Sequence, residues 1–235
     1  MSARGESGVA LILVILVVSF LSAAGIGLLL VLFMEQLASA NYRGSIALRY
    51  AADAGIELAA RDLARSTDWA AVLTGIEQGG FTDGPPDGPR GLPGGGLVDL
   101  TAETHLLNCG RQTTCTAAQM DAISRERPWG ANNPRWRLYD YGPLPSLFTR
   151  PVPGYLAVWV ADDGRETDDD PSADAEAGER GWGVVRVRAT AYGLHGARRA
   201  VEAELMAVCT GDGAEATCLP GIRVHSWQEV RQVVP

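Results

Sequence analysis

Residues Ser7 to Met34 contain no charged side chain, and from Val9 to Met34 the run is almost wholly apolar. As a helix it would be about 39 Å long, more than the hydrocarbon core of a bilayer. No proline interrupts it, and helical spacing continues past Met34. Small or apolar residues recur at three- and four-residue intervals: Leu37, Ala40, Gly44, Ala47, Ala51, Ala54 and Leu58. That spacing predicts a single face of one continuing helix. Arg49 with Asp53 and Glu57 with Arg61 stand at i,i+4 beside the face with opposite signs. The expected helix runs from Val9 to between Leu63 and Trp69, with a membrane-spanning half over 9–34 and an amphipathic half over 35–69.

The pattern then changes period. After a loop-rich αβ connection over 70–134, with Gly and Pro dense and a loop expected from Gly79 to Gly96, residues begin to alternate. Strands are expected at Arg135–Tyr141, Tyr155–Ala161, Gly183–Tyr192, Arg198–Val208 and Ile222–Trp227. The third and fourth specify their own pairing. With Gly193–Ala197 as the turn, Arg188 faces Glu202, Arg186 faces Glu204, and Val187 meets Ala203 on the apolar side. The fold class is therefore α+β: a long N-terminal helix packed on an antiparallel sheet domain at 135–235.

Charge and cysteine content refine this picture. The chain has 235 residues, 20% charged and 46% hydrophobic, with a formal net charge of −8. Between Asp162 and Glu179 there are nine acidic residues and one basic residue, Arg165, so this loop accounts for the imbalance. Such a charge argues against a nucleic-acid partner. The four cysteines form two local pairs, Cys109 with Cys115 and Cys209 with Cys218. Neither has zinc-ligand spacing, and local disulfides in an oxidising compartment are expected.

The acidic loop offers Asp162, Asp163, Asp168, Asp169, Asp170 and Asp174 as oxygen ligands for calcium. An EF-hand pattern is absent, and the competing expectation is a solvated acidic loop with no cofactor. No catalytic constellation stands out. His105, His195 and His225 lack nucleophile partners, and Ser226 beside His225 would point to the opposite face of a strand. The chain is not expected to be an enzyme. Trp129, Trp136, Trp159, Trp182 and Trp227 are expected mainly in the core rather than on an adhesive surface.

"GVALILVILVV" followed by "ASANYRGSIALRYAADAGIELAARDLA" resembles the N-terminal region of the PilX-like minor pilins of type IV pilus systems. Asn41, Arg43, Ala47, Leu48, Ala51, Ala52, Ala54 and Gly55 match the family's signature, with Asp53 in place of its usual Glu. The resemblance covers about the first 65 residues and returns weakly in "GIRVHSWQEVR". It implies a pilin-like fold and a leader over 1–8, cut by prepilin peptidase between Gly8 and Val9. A second candidate cut lies between Gly5 and Glu6. It also implies a single-pass inner-membrane location with the C-terminal domain in the periplasm. The partners would be lipid and then other pilins, bound through the helix in a pilus at the cell surface. Leu13 stands where major pilins carry a Glu, which favours a minor position in the fibre. Three other readings remain. One is a K-like minor pseudopilin of type II secretion, and another a β-domain binding module secreted after signal-peptidase cleavage at Ala24. The third is a membrane-anchored periplasmic hydrolase with no visible site.

Overall fold

In the computed structural model, the described residues are 6–66, 69–92, 94–122, 130–147, 152–166, 168–176, 179, 181–210 and 217–230. Helix α1 spans Glu6–Leu63 without a break. The chain divides into two compact units, Met1–Gly44 and Ser45–Pro235.

In the first unit, every residue from Val9 to Met34 is solvent-exposed, including Leu11, Ile12, Phe20, Leu29 and Phe33. No other helix among the described residues is long and apolar enough to cross a membrane. This helix is a candidate membrane span.

The second unit is an α+β domain of the pilin-like kind expected. Its helical stretch turns Leu48, Ala51, Ala52, Ile56, Ala59 and Leu63 into the core. This face is offset from the stripe Ala47–Ala51–Ala54–Leu58. Two apolar stripes lie side by side, and the one carrying Leu48, Ile56 and Leu63 has the larger side chains to bury. Each of those three contributes about 1.5–3 kcal/mol on burial. Gly55 lies between them at the closest approach to the sheet, where an added Cβ would sit 2.9 Å from Ala189 Cβ and 3.0 Å from Leu156 Cδ1. The expected i,i+4 partners reach elsewhere. Arg49 lies 3.9 Å from Glu229 and over the Trp227 ring, and Arg61 lies 3.3 Å from Asp62.

After α1 come a short helix α2 (Trp69–Leu73), a small hairpin of β1 (Pro89–Gly91) and β2 (Leu97–Asp99), and α3 (Leu100–Cys109) and α4 (Ala117–Ala122). The Gly/Pro-rich stretch is thus not all loop. Asp99 caps α3, accepting a hydrogen bond from the Ala102 amide at 3.0 Å, and Gly110 closes it in the left-handed conformation. A disulfide joins Cys109 to Cys115 directly beyond that cap.

The main sheet is a five-stranded antiparallel meander in chain order: β3 (Arg137–Pro143), β4 (Tyr155–Asp162), β5 (Val184–Tyr192), β6 (Arg198–Thr210) and β7 (Thr217–Val230). The β5–β6 register is the expected one, with Arg186 opposite Glu204, Val187 opposite Ala203 and Arg188 opposite Glu202. Cys209 is disulfide-bonded and stands opposite Cys218 in the β6–β7 ladder.

Both faces of the sheet are covered. Val158, Val160, Val185, Val187, Ala189, Val201, Ala203 and Leu205 pack with α1. On the other face Trp136, Tyr141, Tyr155 and Trp159 pack with Val98 and Leu100. Asn108 of α3 ties this second layer down: its side chain donates to the Trp136 carbonyl at 3.0 Å and accepts from the Trp136 amide at 2.7 Å. Trp159 donates to Thr104 Oγ1 at 2.9 Å. The core assignment thus holds for Trp136 and Trp159, whereas Trp227 is 42% exposed and Trp129 lies outside the described residues.

Candidate functional site

The acidic connection between β4 and β5 is folded inward at its start and exposed farther along. Asp162 ends β4 and is 3% exposed; Asp163 and Glu166 are equally hidden, at 4% and 2%. Asp162, Glu166 and Asp174 each bring a carboxylate oxygen to one place, all within 4.8 Å of one another. The six candidate ligands therefore split. Asp162 and Asp174 belong to the cluster, together with Glu166, which was not among the six.

Asp163 turns instead to Arg165, whose Nε lies 3.2 Å from both its oxygens. Arg165 also reaches Glu204 of β6 at 2.7 Å, fastening the loop to the sheet. Asp168, Asp169 and Asp170 are exposed, and the first and third accept hydrogen bonds from the amides of Asp170 and Ser172. These are ordinary turn contacts. The solvated-loop expectation holds for these three residues and fails for the buried ones.

The cluster is under electrostatic stress. Asp162 Oδ1 and both oxygens of Glu166 are buried with no hydrogen-bond partner among the described residues. Burial drives both carboxyls well above the usual carboxylate range and the neighbouring acids add to the rise, against the Asp163 amide at Asp162 and the Ala175 amide at Glu166. Asp174 is pushed up to about 6, first by burial and then by Asp168, against the opposing Gly183 amide that donates to it at 2.8 Å. Two further residues shape the space. Asn132 donates to the Glu166 carbonyl at 2.7 Å, and its own Oδ1 is buried without a partner among the described residues. Gly181, at φ +97°, leaves room that a Cβ would fill, since that atom would lie 2.4 Å from Glu166 Cγ.

Sequence reasoning missed Glu166 because the tract reads as uniformly acidic. The available signal was its place, four residues past the end of an apolar strand.

The predicted processing site falls at the start of α1. The Gly8–Val9 bond lies within the helix, Val9 is 59% exposed, and Glu6 is the first helical residue; Gly5 is outside the described residues. His195 is exposed at the β5–β6 turn and His225 is exposed on β7. No family model, curated protein or solved structure matches the chain.

Proposed function

We propose that this chain is a minor pilin, a structural subunit anchored in the bacterial inner membrane by the first half of α1. Its domain faces the periplasm, and it moves into or primes a type IV pilus at the cell surface. The observation that carries the reading is the exposure of every residue from Val9 to Met34 on a helix that continues into a folded α+β domain. In water that surface would cost far more than any monomer tolerates, so it needs lipid or other helices around it. Packing against sister helices would exchange lipid for protein without exposing apolar surface to water.

The Cys109–Cys115 disulfide supports an oxidising location for the domain. Leu13 at the fifth position after Gly8 leaves no carboxylate to pair with a neighbouring amino terminus inside an apolar fibre, which supports a minor position. Prepilin peptidase and other pilins are the partners this function requires, and the role is structural rather than catalytic.

Mass spectrometry of the native N-terminus tests the proposal. A mature chain beginning at methylated Val9, or at Glu6 for the second candidate site, is expected in the membrane and pilus fractions. A chain beginning at Gly25 in the culture fluid would overturn it in favour of a secreted module.

A further inference from the structure

We propose that Asp162, Glu166 and Asp174 form a calcium site that pins the long β4–β5 connection to the end of the sheet. Three carboxylates converge here, and two independent features mark the place as one built for a ligand. First, among the described residues the two most buried members keep oxygens that no donor reaches in hydrogen-bond geometry: Asp162 Oδ1, and both oxygens of Glu166, whose one nearby donor is the Ala175 amide. Buried polar atoms are nearly always paired, and three orphan acceptors in one spot ask for a cation. Second, Gly181 leaves the Glu166 carboxylate the volume that any other residue would occupy.

The geometry suits the ion. Two oxygens each about 2.4 Å from a common calcium are at most about 4.8 Å apart, and the three ligand atoms lie within 4.8 Å of one another, close enough to share one ion. The donor set is oxygen only, the choice of a hard cation. Magnesium holds a tight octahedron and keeps several waters, whereas calcium sheds water readily and accepts irregular loop oxygens. A site whose principal ligands are 2% and 3% exposed favours the second behaviour. Two positive charges would also relieve the mutual repulsion that the apo cluster carries.

Arg165 and the exposed acids complete the arrangement without competing for the ion. Arg165 already neutralises Asp163 and Glu204, and Asp168 and Asp170 serve local turns. Removing charge at the buried cluster and removing it at the exposed run therefore have different consequences.

The test uses the full-length protein in detergent micelles, stripped with chelator and titrated with calcium chloride by calorimetry, with parallel thermal melts. One saturable calcium per chain is expected, with a rise in Tm that an equal concentration of magnesium fails to reproduce. Glu166→Gln should weaken calcium binding by at least about tenfold. The triple variant Asp168→Asn, Asp169→Asn, Asp170→Asn should keep one-site binding. Any of three results overturns the proposal: no saturable binding at millimolar calcium, binding lost in the triple variant but kept in Glu166→Gln, or an equal response to magnesium.

Discussion

Asp140 has no exposed surface, although it lies on an edge strand of the sheet. Its Oδ1 accepts the Phe81 amide at 2.9 Å, while Oδ2 has no partner among the described residues. Gly79 packs so closely that a Cβ there would fall 2.1 Å from Oδ1. Burial raises the carboxyl from 3.8 to about 6, Asp62 of α1 pushes it further, and the Phe81 amide and Arg61 pull it back. A raised acid favours the folded state when protonated. Its contribution is full below the unfolded value of 3.8 and is lost as pH rises through about 6. The loss is about 3 kcal/mol. Asp140→Asn keeps an acceptor for Phe81 and removes the titration. Denaturant unfolding at a series of pH values should show the variant gaining on the parent by most of that amount, about 2 kcal/mol, from pH 4 to pH 7. A constant difference would contradict the assignment. Alternation along the strand did not foretell this burial. A bulge between Leu138 and Asp140 inserts Tyr139, so Leu138 and Tyr141 share one face while Asp140 is turned to the helix side.

At the scale of elements, the β5–β6 hairpin was the most legible part of the chain. Apolar alternation and opposite charges agreed on one register there, and a slip by one residue would have broken both. The ion pairs nevertheless do not follow the register alone. Glu202 takes both Arg186 and Arg188, while Glu204 takes Arg165 from the acidic loop. Glu202 is 6% exposed and its partner Arg188 is equally hidden. Glu202→Ala should therefore cost about 3–5 kcal/mol, because it removes a buried carboxylate shared by two arginines, one of them equally buried. Glu204→Ala, at a more open pair, should cost about 1 kcal/mol or less. Paired urea titrations would measure the gap, and equal losses would refute the distinction. The helix face was read less well. Periodicity shows that α1 has an apolar side, but two adjacent stripes satisfy it. Only the sheet, reaching in at Gly55, selects Leu48, Ile56 and Leu63. The second covered face was not visible at all, because Trp159 and Tyr155 meet α3 through contacts some fifty residues apart in sequence.

Considered whole, the chain separates a lipid-suited part from a water-suited part. Among the described residues the second unit's buried core begins at Leu48. A chain lacking residues 1–34 should stay monomeric without detergent. Its near-ultraviolet circular dichroism and its denaturation midpoint should match the full-length protein. A truncated chain that aggregates or loses its aromatic signal would show that the division is wrong. The acidic loop belongs to this scale as well. Its sequence announces charge, but which carboxylates turn inward depends on where β4 ends and β5 begins, and that is settled by the sheet.

The order of the meander has a temporal corollary. Strands β3 to β7 neighbour one another in the sequence in which they leave a ribosome or a translocation channel, so each newcomer finds its template waiting and none has to be wedged between two already joined. The helix side that must be covered, however, is made early and roofed late: Val201 and Leu205 of β6, and then Ile222 of β7, are the last pieces of its lid. Until β6 arrives, a nascent chain exposes Leu48 and Ile56 to whatever passes, and prematurely terminated products would carry that greasy mark for proteases to find.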